Sequence, residues 1–441
     1  MTRILSSDVH SHVDQTITIQ GWLHKKRLLG GITFINIRDR RGLTQVVVKD
    51  KDEVEKLRGL QIGTVLSVSG KVVNEPRSPG GAELHEPKLQ VEVPVGDEPP
   101  IEIDKPLSHK PEHLETLFDN RPIGLRNLQE QAIFKTKSAV VASIRDYLSK
   151  LDFTEIHTPK LLAEATEGGA EVFQLDYFGK TATLAQSAQF YKQMMVGVFE
   201  RVFEIGSTYR AELSATTRHM SEFLTVDGEI GFVDFEELQN IVGGLLIHVV
   251  NDTWQTCQAA YKSWNVAQAK LPAKAEDIPR ITISEIHDMF FATTKEDHRS
   301  EGDLAPAEEK WICQWASKNK SSDAVFVTGW SATDKTFKFY HKVSSDDAKI
   351  AERADLLFRG VELSTLSMRQ HDYQQLIKQL KATGGNPDDS GYAAYLSAFK
   401  YGLPPHGGFG LGLERLVEKL FNLANIKEAA LFPRDINRLT P

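Results

Sequence analysis

Apolar and polar residues alternate with a period of two along the N-terminal part of the chain. Residues 16–23 (TITIQGWL) and 33–38 (TFINIR) read apolar-in and polar-out. Residues 44–48 (TQVVV) and 65–73 (VLSVSGKVV) are rich in β-branched side chains, and 89–95 (LQVEVPV) alternates again. Such runs form half-buried strands, and Gly30-Gly31, Arg41-Gly42 and Pro79-Gly80-Gly81 supply the turns between them. Five short strands in close succession predict a small β-barrel. A Pro- and acid-rich stretch, 96–111, reads as a linker. From Asn127 the period becomes helical: Ile133, Val140, Val141, Ile144 and Leu148 recur on one face of residues 129–151. Mixed helices and strands follow to the C-terminus, with no internal repeat. The predicted fold class is α+β, divided into a barrel at 1–104, a hinge at 105–130 and a larger domain at 131–441.

Composition narrows the class. The chain has 441 residues, 41% hydrophobic and 25% charged, which is ordinary globular usage. No apolar run approaches the ~20 residues of a membrane helix, and the first residues, MTRILSSDVH, lack a secretory apolar segment. Two cysteines, Cys257 and Cys313, exclude a disulfide scaffold and a multi-cysteine zinc site. A cytoplasmic location is expected. Net charge is −8, yet residues 22–49 carry seven Lys/Arg against Asp39 alone, a local +6. That is the footprint of a phosphate-binding face, or of a strand edge kept soluble by charge.

Four segments carry candidate chemistry. TYRAE (208–212), followed by Arg218 and His219, sits between two strand-like runs; Arg210 and Glu212, two apart, share a face of an extended segment. An Arg there can clamp a phosphate bidentately, although an Arg-x-Glu pair also occurs as a plain surface ion pair. GLPPHGGFGLGLER (402–415) brings backbone close to a ligand or merely connects into a helix; it has no GK[ST] and is no Walker loop. DLLFRGVELSTLSMR (355–369) offers Asp355 and Glu362 as oxygen ligands for Mg²⁺, or is a solvated strand pair. ATEGGA (165–170) looks like a glycine-hinged loop bearing Glu167, and LAQSAQFYK (184–192) offers Gln186, Ser187, Gln189 and Lys192.

Together, and in this order, these segments resemble the signature motifs of class II aminoacyl-tRNA synthetases: FTEIHTPK (153–160), TYRAE with Arg218-His219, and GFGLGLER (408–415). ATEGGAEVF, LAQSAQFYK, PPHGG and the ending LFPRDINRLTP narrow the resemblance to the archaeal-type aspartyl-tRNA synthetases, and it covers nearly the whole chain. The asparaginyl family shares much of it, but favours Thr where this chain has Asp435 and Glu where it has Asp227. A retired, RNA-binding paralogue is the third reading. The resemblance implies an N-terminal OB-fold and a catalytic domain built on an antiparallel sheet flanked by helices.

It further implies ATP-dependent attachment of L-aspartate to tRNA through an aspartyl-adenylate, by a homodimer. Catalysis would rest on Arg210, Glu212 and Arg415. ATP would be held by Arg210, Glu212, Arg218, His219, Met220, Glu362, Gly410, Gly412 and Arg415, with Mg²⁺ on Asp355 and Glu362. Aspartate would meet Glu167, Ser187, Gln189, Lys192, Asp227 and Arg369. On the barrel, Phe34 would stack on an anticodon base and Gln45 and Glu83 would read the central uracil. Strict members of the family tend to have Trp at the position of His24 and Lys near Pro79. Their absence here implies charging of both tRNA-Asp and tRNA-Asn, and with it an amidotransferase that acts on the misacylated product. One departure stands out: TLSMR (365–369) replaces the family's Ser-Gly-Gly-Gln-Arg, which suggests that Leu366 puts bulk near the amino acid.

Overall fold

The computed structural model describes residues 3–163, 171–213, 216–334 and 336–441. The chain divides into two compact units, Met1–Gln131 and Ala132–Pro441.

In the first unit the alternating runs become β1 (Thr16–Leu29), β2 (Ile32–Arg38), β3 (Leu43–Val48), β4 (Val65–Asn74) and β5 (Ala82–Val93), closed in the order β1-β2-β3-β5-β4. Ile17, Ile19, Ile35, Ile37, Val46, Val48, Leu66, Val68 and Leu84 fill the interior. Where β1 coils past β2 only glycine fits: a Cβ on Gly21 would stand 2.3 Å from the carbonyl oxygen of Arg38. The sequence pattern understated two features. β5 begins seven residues before the predicted run, and a helix, Lys51–Arg58, capped by Asp50, follows β3. The stretch expected as a hinge carries another helix, Pro111–Asp119, whose Leu114, Leu117 and Phe118 pack with Ile101. There Arg121, 2% exposed, faces the buried Glu130, which His109 also approaches at 2.9 Å.

The second unit is built on an eight-stranded sheet. Its strands are β6 (Thr154–Glu155), β10 (Arg201–Tyr209), β11 (Glu222–Gly231), β12 (Arg280–Thr282), β13 (Ala324–Thr328), β14 (Arg353–Phe358), β15 (Val361–Met368) and β16 (His406–Gly412). They run in the order β12-β13-β14-β15-β16-β11-β10-β6. All neighbours are antiparallel except β12/β13 and β10/β6. A separate sheet joins β7 (Leu161–Leu162), β9 (Lys180–Leu184) and β8 (Gln174–Tyr177).

The two faces of the large sheet differ sharply. One presents Phe203, Val226, Ile230, Ala354, Leu356, Leu366, Phe409 and Leu411 to the helices Leu128–Lys150, Phe235–Thr256 and Leu413–Phe421, forming the main core. The other face is polar. Since directly opposed residues of an antiparallel pair share a face, Glu204, Asp227, Gly410, Thr365 and Asp355 form one row across five strands, and Glu229, Gly408, Ser367 and Arg353 the next. Residues 262–350 belong to this architecture. They supply β12 and β13, and the helices Ile283–Thr294 and Pro306–Asn319 cover part of the polar face through Val325, Val327 and Leu357. Among the described residues no helix is long and apolar enough to cross a membrane.

Candidate active site

The amino-acid end of the site centres on a residue the sequence reading missed. Glu229, fully buried on β11, accepts a fork from Arg369, with Nε at 2.7 Å and Nη2 at 3.2 Å. Lys192 Nζ lies 3.7 Å from the same carboxylate and donates to Asp227 Oδ1 at 2.9 Å and to the carbonyl of Phe409 at 2.8 Å. The signal for Glu229 was present: two acids, Asp227 and Glu229, two apart in a strand rich in apolar residues, must share a face and must be paired when buried. Burial alone would push the Asp227 carboxyl up, but Lys192 and the Thr225 hydroxyl outweigh it and hold it below the usual carboxylate range.

Glycines on β16 make the room. A Cβ on Gly408 would stand 1.9 Å from Glu229 Oε2 and 2.4 Å from the carbonyl oxygen of Gly228, so the strand opposite Glu229 tolerates no side chain. Among the described residues a Cβ on Gly410, opposite Asp227, would meet only Asp227 Oδ1, at 3.6 Å.

Leu366 does not crowd this pocket, contrary to the expectation from sequence. It is 1% exposed and faces the apolar core, paired with Phe409 and Ala354. Strand parity explains this: the altered motif turns Thr365 and Ser367 to the polar face, and the Ser367 hydroxyl accepts from Arg369 Nη1. Gln189 is buried at the start of the helix Gln189–Phe199 and donates to Gln193 Oε1 at 3.0 Å, while Ser187 sits half-buried just before it. Phe190 is absorbed into an aromatic cluster, stacked on Tyr395 at 4.2 Å. Glu167 lies outside the described residues.

The nucleotide end is arranged around β10, β15 and β16. Arg210 follows β10, its guanidinium 5.5 Å above the Phe223 ring. Glu212 is half-buried two residues on. Arg218 Nη1 donates to Glu309 Oε2 at 2.9 Å, and His219 Nδ1 bonds the Thr216 hydroxyl at 2.6 Å. Met220 is buried with Ile426 and Ala430, and Ser221 N donates to the Arg434 carbonyl, so the C-terminal segment pins this loop. Arg415, at the start of the helix after Gly412, donates from Nη1 to the Glu362 carbonyl at 2.8 Å and lies 3.7 Å from its carboxylate.

Asp355 and Glu362 have opposite tendencies. Burial pushes Asp355 up to about 7, with Arg353 opposing and the Glu362 charge adding to the rise. Glu362 is held below its ordinary value because Arg415 and Arg353 outweigh its burial. Among the described residues the buried Asp355 Oδ1 has no hydrogen-bond partner, while Oδ2 accepts from Arg353 at 2.9 Å. An orphaned buried carboxylate oxygen beside a second carboxylate fits a divalent cation. Among the described residues no group of three or more His, Cys, Asp or Glu could hold a metal, so the remaining ligands would have to be phosphates and water, as Mg²⁺ prefers.

On the barrel, Phe34 points outward and is half-buried, not part of the core. It shares its face with Arg27, opposite it on β1. Gln45 donates to Glu83 Oε2 at 2.7 Å and to the Ser78 hydroxyl at 2.9 Å; Ser78 also donates to Glu83, so the loop bearing exposed Pro79 is tied to these residues. His24 is only 7% exposed at a bulge of β1, and burial with the nearby Arg38 lowers its pKa. The basic stretch is less open than its count suggests. Arg38 is buried over Trp22, and Lys26 caps the helix Lys51–Arg58 by donating to the Leu57, Arg58 and Leu60 carbonyls.

A largely antiparallel sheet with arginines, paired carboxylates and a glycine strand on one face, together with a five-stranded barrel, has the parts of a class II aminoacyl-tRNA synthetase. Residues 113–436 match the family described as "tRNA synthetases class II (D, K and N)", and residues 17–93 match "OB-fold nucleic acid binding domain". The chain belongs to the class II tRNA synthetases of the D, K and N group. A Deinococcus radiodurans protein named aspartate–tRNA(Asp/Asn) ligase is 38% identical, covering 100% of this chain and 99% of that one. A Pyrococcus abyssi aspartate–tRNA(Asp) ligase is 37% identical over 99% of both chains. The asparaginyl-tRNA synthetase of Pyrococcus horikoshii, solved with asparaginyl-adenylate, superposes over 100% of both chains with a TM-score of 0.90 at 30% identity.

Proposed function

We propose that the chain is an aspartate–tRNA ligase that charges both tRNA-Asp and tRNA-Asn. The observation that carries the amino-acid assignment is the donor inventory at Lys192 and Arg369. Arg369 has five N–H groups and directs three inward, to Glu229 and Ser367; Lys192 has three and directs two, to Asp227 and Phe409. What remains for a ligand is N–H only. A carboxylate, which only accepts, satisfies those groups, whereas an amide would set its own NH₂ against at least one of them.

In the first step the α-carboxylate of aspartate attacks the α-phosphorus of ATP and pyrophosphate leaves. In the second, a terminal ribose hydroxyl of tRNA attacks the aspartyl carbonyl and AMP leaves. The attacking carboxylate is already nucleophilic, so placement and charge stabilisation dominate. Arg210 holds the α-phosphate and Glu212 the adenine amino group. Arg218 and His219 meet the outer phosphates, and Arg415 braces the γ-phosphate. Gly410 and Gly412 let the backbone approach, and Met220 underpins the loop. Asp227, Gln189 and Glu167 serve the ammonium group, with Ser187 beside them. Asp355 and Glu362 would hold Mg²⁺, which when bound neutralises phosphate charge.

On the tRNA side, Phe34 stacks on an anticodon base, and the linked Gln45–Glu83 pair reads its neighbour. The relaxed choice between the two tRNAs is supported by His24, by Pro79 and by relatives named for both. It brings with it an amidotransferase that converts aspartyl-tRNA-Asn. A homodimer and a cytoplasmic location complete the proposal; β6, the edge strand of the large sheet, is where a second copy would continue it. The likeness to the P. horikoshii enzyme favours a second reading, asparagine specificity, which the donor inventory opposes.

Aminoacylation with labelled aspartate tests the tRNA assignment. Purified tRNA-Asp and tRNA-Asn should both be charged; product with tRNA-Asp alone would restrict the enzyme to one tRNA.

A further inference from the structure

The helix Pro306–Asn319 lies outside every signature motif. It is fixed from below by Ile312, Cys313 and Ala316, which pack with Val325, Val327 and Leu357. Glu309 precedes those three residues by three, four and seven positions, so it extends the buried stripe of the helix, not its wet face. Its neighbour Glu308 is committed locally: it accepts from Ala305 N at 3.0 Å and bonds His287 Nδ1 at 2.7 Å. Glu309 instead accepts from Arg218, 91 residues away, with its side chain 15% exposed and that of Arg218 36% exposed. A carboxylate on a buried stripe is costly unless paired. Burial raises its pKa, while the charges of Arg218, Glu362 and Arg415 all act on it, which places it at the phosphate end of the site.

We infer that Glu309 is a positioning residue for Arg218, holding its guanidinium so that the remaining N–H groups face the distal phosphates of ATP. The inference rests on Arg218 taking those phosphates. The physical basis is pre-organisation: a long cation on a loop loses rotamer freedom when it captures a ligand, and a partner that fixes it beforehand removes that cost at binding. The planar fork allows both contacts at once, since Nη1 alone bonds Glu309 and a guanidinium carries five N–H groups.

The test is ATP–pyrophosphate exchange by the full-length enzyme with Glu309→Ala, Glu309→Gln, Arg218→Ala and the Arg218→Ala/Glu309→Ala double variant. Glu309→Ala should raise the KM for ATP about five- to twentyfold, with the KM for aspartate and the thermal midpoint unchanged. Glu309→Gln, isosteric and still an acceptor, should lose less and keeps the test open should the Ala variant unfold. In the Arg218→Ala background, removing Glu309 should change the ATP KM by less than about twofold. An unchanged or lowered ATP KM in both Glu309 variants, or additivity in the double variant, would overturn the inference. An unchanged ATP KM in Arg218→Ala would instead overturn the phosphate role of Arg218, and this inference with it.

Discussion

Arg369 is held on three sides before any substrate arrives: by the Glu229 fork, by the Ser367 hydroxyl and by the Tyr340 ring 5.5 Å away. Such a cation acts through its shape as much as its charge. Lysine in its place keeps the charge but cannot make the fork, and it leaves Glu229 incompletely paired in a buried setting. Arg369→Lys should therefore lower kcat/KM for aspartate about 10²-fold or more, equivalent to losing two charge-assisted hydrogen bonds, while the KM for ATP stays within about twofold. Exchange kinetics with each substrate varied in turn would show this; a Lys variant of near-normal efficiency would mean the fork is dispensable. Leucine at the same position is a poorer probe, because it strands the buried Glu229 charge and costs about 3–5 kcal/mol of stability.

At the scale of elements, one strand decides both faces of the site. β16 sets Phe409 and Leu411 into the core and Gly408, Gly410 and Gly412 on the opposite, polar face. Ala at Gly408 would collide with the Gly228 carbonyl and with Glu229, which cannot move without releasing Arg369. Ala at Gly410 meets only an ordinary contact. Gly408→Ala should cost about 1–3 kcal/mol or more and lower the thermal midpoint, whereas Gly410→Ala should leave the midpoint unchanged and raise the KM for aspartate. Paired thermal melts and aspartate titrations would check this, and equal melting of the two variants would contradict it. The same strand logic marks what the sequence could reveal. Period-two alternation announced the barrel, whereas the polar face marked by Asp227 and Glu229 went unread because Glu229 was not singled out. Which face Leu366 takes depends on register, and a single-residue shift reverses it; the motif comparison had no register, so it placed Leu366 in the pocket.

For the whole molecule, the family resemblance singled out Arg210, Lys192, Asp227, Glu362, Arg369 and Arg415; in the fold Lys192 joins Asp227 and Glu229, Arg369 joins Glu229, and Arg415 meets Glu362. What it could not supply were partners distant in the chain. Glu309 lies outside every quoted motif and 91 residues from Arg218, and its pairing with that arginine is set by the fold alone. The net charge of −8 likewise conceals a local division: basic residues gathered on β1–β3, and buried ion pairs such as Lys192–Asp227 and Arg369–Glu229 in the second unit. The central claim is that Lys192 and Arg369, once paired inward, offer the substrate side chain N–H donors only. The most direct measurement is ATP–pyrophosphate exchange by the unmodified enzyme with aspartate and with asparagine in parallel. Saturable exchange with aspartate, exceeding that with asparagine by at least about 10³-fold in kcat/KM, is the predicted result. Equal or faster exchange with asparagine would contradict it.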